Sequence, residues 1–259
     1  MPCYLASPGE PVSARLAAAL GAAVVAAALG TAPAAARGVR PLDATWPLRN
    51  ERLSNERTVT RWAHPLRTTP IRAHRFRRSR TVARLRALTE DGMPEVYLAL
   101  RSHRTRTGRI WIRVRIPGRP NGRKGWVPRG ALGHLHALTT ALRIDKARSH
   151  ATLRRGGRVV WRSPIGHGAP GTPTPSGRFS IRERLDNRGG DPVYGPLAFG
   201  TSAYSALSEW PGGGVIGIHG TNQPSLIPGR PSHGCIRVPN DAIRRLARLM
   251  PVGTPVRIR

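Results

Sequence analysis

The sequence predicts a mainly β protein of two modules behind an export leader, closed by one short C-terminal helix. Three observations predict it. Ile110, Ile112, Val114 and Ile116 alternate with Trp111, Arg113 and Arg115, the period of two that a strand with one buried and one solvated face requires. The 259 residues include 29 Gly and 25 Pro, which cut the apolar runs into pieces of strand length. Helical spacing is sustained in one place, at Ile243, Leu246, Ala247 and Met250. A hydrophobic fraction of 39% distributed in this way excludes a disordered chain, a collagen-like chain and a coiled-coil fibre.

The elements follow in order. In residues 1–36, Arg15 precedes a small apolar run from Leu16 to Gly30, and Ala-x-Ala choices precede Arg37. This is the layout of a secretory signal cut after about Ala36; a retained N-terminal anchor is the alternative. Residues 37–58 are polar without an apolar period and are expected to be linker. Residues 59–134 form a small β module, with strands expected at 81–88, 96–100, 110–116 and 125–128 and a turn at Arg119-Pro120-Asn121-Gly122. Residues 135–259 form a second module, with strands expected at 141–145, 151–153, 158–161, 178–182, 215–218 and 256–258. Pro173 and Pro175 forbid ladder pairing and force a shaped loop. Residues 188–214 lack a clear period and read as a long loop. Asn240 is expected to cap the helix that Pro251 and Gly253 end.

The 43 basic residues outnumber the 13 acidic ones and leave a formal net charge of +30, and only Lys124 and Lys146 are lysine. Arg-rich codon usage is one source of this imbalance; an anionic partner is the other. Residues 37–134 hold 24 basic and 6 acidic groups, and residues 135–259 hold 18 and 6. Charge this diffuse, with no nucleic-acid-binding motif and behind an export signal, argues against nucleic acid and for anionic cell-wall polymers. Cys3 lies ahead of the apolar run and would leave with the leader, so the mature chain keeps one thiol, Cys235, and no internal disulfide. A lone thiol outside the cytoplasm is either reactive or a buried, inert small hydrophobe.

Its neighbourhood favours reactivity. Val215–Ile218 is an apolar strand that ends by presenting His219, and sixteen residues later Cys235 sits inside Ser232-His233-Gly234-Cys235-Ile236-Arg237. Catalysis by sulfur needs a base within hydrogen-bond reach, a group that orients the base, and donors for the developing oxyanion. An imidazole can take the proton of Cys235. Gly220 and Gly234 suit an orienting carbonyl and oxyanion-cradling amides, because glycine allows unusual backbone angles and close approach. Arg237 is a candidate for carboxylate recognition, its fork matching that anion. A zinc site of Cys235, His233, His219 and His167 lacks the usual ligand pairing, so no metal and no cofactor are expected.

Ile218-His219-Gly220-Thr221-Asn222 together with Ser232-His233-Gly234-Cys235-Ile236-Arg237 resembles the L,D-transpeptidase family, with its YkuD-type catalytic domain. Thr172-Pro173-Thr174-Pro175-Ser176-Gly177 resembles that family's upstream loop. The resemblance covers about half the chain and implies a β-rich domain in which Cys235 attacks a peptidoglycan stem peptide at its third residue. It further implies release of D-alanine, a thioester on Cys235, and resolution by a neighbouring stem's amine to give a 3→3 cross-link. By motif position His219 corresponds to the base, oriented by the Gly220 carbonyl, and the amides around Gly234 and Cys235 correspond to the oxyanion donors. Arg237, His233 and Ser232 are the candidate substrate-binding residues, and acylation by carbapenems is implied. Separately, residues 108–128 resemble the distal half of a bacterial SH3-like module, which implies wall binding or a spacer role. The protein is expected to act as a monomer on stem peptides. Two other readings are an L,D-carboxypeptidase or cross-link hydrolase using the same pair, and a non-catalytic wall-binding protein.

Overall fold

The computed structural model describes residues 49–207 and 211–259; the expected leader and most of the expected linker lie outside them. Two β-sheets account for most of the described chain. The first has seven strands in the order Thr81–Arg84, Pro70–Arg72, Lys124–Pro128, Ile110–Arg115, Tyr97–Arg104, Thr60–Ala63 and His136–Leu138. All its pairings are antiparallel. Its core is the alternation legible in the sequence: Ile112 and Val114 are fully buried, and Leu85, Ala99, Val127 and Leu135 pack with them.

The opposite face of that strand is less solvated than the alternation predicts. Trp111 and Arg115 are also buried. Arg115 tolerates burial because its Nε and Nη2 both donate to Glu56 Oε1, at 3.0 and 2.5 Å. Glu56 belongs to the polar stretch expected to be linker, and the described part of that stretch packs on the sheet: Leu53 is 1% exposed, and Ser54 Oγ donates to the Ala99 carbonyl. One anchoring leucine among polar residues has no period to detect.

The second sheet has ten strands in the order Arg158–Pro164, His150–Arg155, Thr140–Asp145, Pro255–Ile258, Gly177–Asp186, Leu197–Tyr204, Val215–His219, Ile236–Arg237, Gly166–Gly168 and Gly229–Ser232. The helix Asn240–Leu249 lays Ala242, Ile243, Leu246 and Ala247 on this sheet's core, and Trp161 Nε1 donates to the Ala242 carbonyl at 3.1 Å. Ile243 and Leu246 each contribute about 1.5–3 kcal/mol on burial, and each alanine methyl about 0.8 kcal/mol. No helix among the described residues is long and apolar enough to cross a membrane.

Two expectations need correction. Leu197–Tyr204 is an eight-residue strand inside the stretch expected to be a loop, and all eight residues are buried. A strand covered on both faces has no reason to alternate. Asn240 is the first residue of the helix, with Pro239 at the N-cap position. The Asn240 Oδ1 instead accepts the Thr221 N–H at 2.9 Å, tying the helix to the loop after His219.

The two sheets meet through a polar network. Arg182, on strand Gly177–Asp186, is 1% exposed and reaches Glu95 and Glu90 of the first sheet's loop, at 2.5 and 2.8 Å. Arg86 pairs with the same two carboxylates, at 3.1 and 2.8 Å. Tyr204 Oη donates to Glu90 at 2.5 Å. Farther along, Arg119 donates to the carbonyls of Ser205, Leu207 and Gly213, so a turn of the first module holds the loop that precedes strand Val215–His219.

Candidate active site

Strand register brings His219 and Cys235 together. Val215–His219 runs parallel to Ile236–Arg237, with Ile218 opposite Ile236 and His219 opposite Arg237. Cys235, one residue earlier, therefore falls beside Gly217, and alternation places the pair on the face that carries His219. The Gly217 N–H donates to Cys235 Sγ at 3.4 Å. A Cβ on Gly217 would lie 3.8 Å from Cys235 Sγ and 3.6 Å from His219 Cδ2, so thiol and imidazole both come within 4 Å of one point. That point borders a small cavity of about 40 Å³, lined by Cys235, His219, Tyr194, Phe199, Gly200 and, from the other module, Asp91.

The His219 imidazole is oriented by backbone. His219 Nδ1 lies 2.7 Å from the Gly220 carbonyl oxygen. A carbonyl only accepts, so Nδ1 carries the proton and Nε2 keeps its lone pair, the tautomer a general base needs. Gly220 can bring its carbonyl there because a Cβ would collide with Asn240 Oδ1 at 2.4 Å and Pro196 Cδ at 2.7 Å. The Tyr194 ring stands edge-on to the imidazole at 5.0 Å between centroids.

The Cys235 loop is braced by hydroxyls. Ser232 Oγ donates to the Cys235 carbonyl at 2.6 Å and accepts the Gly234 N–H at 3.2 Å. Ser232 thus shapes the turn and is 4% exposed; its hydroxyl does not face a substrate, and the Gly234 amide is engaged within the turn. Gly234 has φ +125°, and a Cβ there would press on Ile216 Cδ1 at 2.9 Å. Thr174 Oγ1 donates to the Gly234 carbonyl at 2.7 Å and accepts the Gly168 N–H at 2.9 Å. The proline-rich loop expected to have a special shape is therefore a strut under the Cys235 loop. Thr174 and Asn240 are positioning residues whose part in the site sequence reasoning did not assign: Asn240 was expected only as the helix cap, and Thr174 only as part of the proline-rich loop.

His233 is exposed at the surface of the loop. Arg237 is half-buried, and its Nη1 donates to Gln223 Oε1 at 2.9 Å. His167, 5% exposed, borders a separate cavity with Lys146 and Arg230. Among the described residues no group of three His, Cys, Asp or Glu side chains could hold a metal.

The L,D-transpeptidase catalytic-domain profile, YkuD, matches residues 139–258. YkuD of Bacillus licheniformis is 38% identical over 122 residues, 46% of this chain and 67% of that protein. The chain belongs to the L,D-transpeptidase family. YkuD of Bacillus subtilis is 38% identical over 107 residues, 41% of this chain, and the match spans 58% of that relative's length. Both relatives carry the L,D-transpeptidase name provisionally. The solved catalytic domain of the Enterococcus faecium L,D-transpeptidase shares 25% identity, covering 46% of this chain and 96% of that one, with a TM-score of 0.36. The matched L,D-transpeptidase segment contains His219, Cys235, Thr174 and Arg237, and ends before none of the strands that hold them.

Burial, with Arg237 nearby, pushes the His219 imidazole down to about 4 despite the Gly220 carbonyl. In this L,D-transpeptidase fold His219 is therefore neutral at pH 7. In the unfolded chain it titrates near the ordinary 6.5. Between those values the unfolded chain binds more protons, so the fold loses stability as pH falls from about 6.5 to about 4, by about 3 kcal/mol in all. Below about 4 the base is protonated. Stopped-flow acylation is expected to show an acid limb near pH 4; a limb near 6.5 would mean that the base is a solvated histidine.

Proposed function

We propose that the protein is a peptidoglycan L,D-transpeptidase that forms 3→3 cross-links outside the cytoplasmic membrane. The Cys235 thiol attacks the carbonyl of the stem's third residue and gives its proton to His219 Nε2. The proton passes to the departing amine, D-alanine leaves, and a thioester on Cys235 remains. A neighbouring stem's amine then attacks the thioester, its proton returns through His219, and the thiol is restored. The observation that carries this reading is the Gly220 carbonyl on Nδ1, which leaves the other ring nitrogen as a lone-pair base in the cavity that holds Cys235.

The Gly217 N–H bond to the sulfur supports it further, since a donor on sulfur favours the thiolate over the thiol. Arg237 is assigned to a stem carboxylate, and its positive charge is adjacent to the base. The chain acts as a monomer on stem peptides, and its +30 charge attracts anionic wall polymers. The N-terminal seven-stranded sheet is read as the SH3-like module that the sequence of residues 108–128 resembles.

Incubation of the protein with disaccharide-tetrapeptides, followed by mass spectrometry, tests the reaction. A dimer lacking one D-alanine is expected. Tripeptide alone would identify water as the acceptor and a carboxypeptidase, and an unchanged substrate would remove the enzymatic reading.

A further inference from the structure

The catalytic cavity has a wall from the other module. Asp91 sits on the tight turn after Thr89, closed by the Thr89 N–H to the Met93 carbonyl at 2.7 Å and by the Met93 N–H to Thr89 Oγ1 at 3.1 Å. Thr89 Oγ1 also donates to Glu183 Oε2 on the catalytic sheet. That bond pins the turn so that Asp91 borders the same cavity as Cys235 and His219, 144 residues distant in sequence from the nucleophile. Among the described lining residues Asp91 is the only carboxylate.

A second acid lies against it. Glu183 is 1% exposed, and its Oε1 has no hydrogen-bond partner among the described residues. That oxygen lies over Gly200, itself a cavity-lining residue, so closely that a Cβ on Gly200 would fall 2.0 Å from it. Glycine at 200 is what lets the carboxyl oxygen approach the cavity wall.

The surrounding charges leave this pair in excess. Arg86 and Arg182 are matched by Glu90 and Glu95 in a closed network of two cations and two anions. Asp91 and Glu183 have no ion-pair partner of their own in that set. Burial pushes both carboxyls up, Glu183 to about 7, and the charge of Asp91 adds to the rise at Glu183. Asp91 thus sets a carboxyl group at the wall of the cavity that holds a neutral His219, in a chain of net charge +30.

We propose that Asp91, backed by Glu183, binds the ammonium group of the acceptor stem, so that the N-terminal module completes the acceptor side of the catalytic cavity. This rests on the transpeptidase reading. A half-buried carboxylate bordering the thioester favours an incoming cation over water, and it receives the proton that the ammonium must lose before the amine can attack. The carboxylate becomes a carboxylic acid, the amine becomes neutral, and no other reactant is needed.

The test compares wild type, Asp91→Asn and Asp91→Glu as full-length proteins on disaccharide-tetrapeptides. It measures the ratio of dimer to tripeptide and the acceptor KM. Asp91→Asn is expected to lower the ratio at least about tenfold by raising the acceptor KM, and Asp91→Glu is expected to restore most of it. A second arm uses a donor whose side-chain amine is acetylated, with D-alanine release as the readout. A penalty from Asp91→Asn that depends on the donor's amine, and not on the acceptor, would overturn the assignment. So would an unchanged ratio. In the wild-type protein alone, n-pentylammonium is expected to compete with the acceptor and n-pentanol is not; equal effects of the two would also overturn it, whether or not the variants fold. Absence of D-alanine release by wild type would instead remove the transpeptidase reading itself.

Discussion

Cys235→Ala is expected to abolish turnover, with D-alanine release falling by a factor on the order of 10⁴ or more, because no other group can form the acyl intermediate. Ser232 cannot substitute. Its hydroxyl donates to the Cys235 carbonyl at 2.6 Å and is enclosed in the turn. The fold should survive: Cys235 is 3% exposed, and exchanging one sulfur for hydrogen in a packed site costs about 1 kcal/mol. Cys235→Ser is the sharper variant, since a hydroxyl is a far weaker nucleophile than a thiol in the same place. Its turnover is also expected to fall by about 10³-fold or more. Retention of a tenth of wild-type turnover by either variant, with an unchanged melting temperature, would contradict the assignment.

The largest loss of stability is expected from Arg182→Ala. The guanidinium Nε donates to Glu95 Oε1 at 2.7 Å, Nη2 reaches Glu95 Oε2 and Glu90 Oε2, and Nη1 donates to Tyr204 Oη at 3.1 Å. Glu95 is fully buried. Removing Arg182 strands that carboxylate in the interface between the sheets, with the half-exposed Arg86 as its remaining cation and the Val96 N–H as a neutral donor. Breaking one partner of a buried pair costs about 3–5 kcal/mol, which corresponds to a fall of roughly 6–20 °C in Tm for a chain of this size. The loss has a functional consequence, because the same loop carries Thr89 and Asp91 to the catalytic cavity. Arg182→Met/Glu95→Leu is expected to recover part of the stability by removing both charges. Thermal unfolding followed by circular dichroism checks both outcomes; a loss under about 1 kcal/mol from Arg182→Ala would mean that the network is effectively solvated.

What could be read from the sequence follows from how local each signal is. The alternation of Ile110 to Ile116 announces a strand because burial on one face repeats every second residue. Leu197–Tyr204 announces nothing, because both of its faces are buried. The helix showed its apolar stripe, yet Asn240, a good capping residue by type, spends its side chain on Thr221. His219 and Cys235 stood out because one ends a short apolar strand and the other directly precedes a second strand, both beside glycines, and parallel pairing of those strands makes them neighbours. Ser232 illustrates the limit: its place beside Cys235 suggested substrate contact, whereas its hydroxyl holds the turn. Asp91 carried no signal, since its role depends on a contact between modules that composition and spacing do not encode.

The most direct test of the central claim is the mass of the protein during turnover. After rapid mixing with a disaccharide-tetrapeptide and an acid quench, intact-mass analysis is expected to show the substrate's mass less D-alanine on the protein. Peptide mapping should put that increment on Cys235 as a hydroxylamine-sensitive thioester. An increment on another residue, or one that persists in Cys235→Ala, would contradict the account.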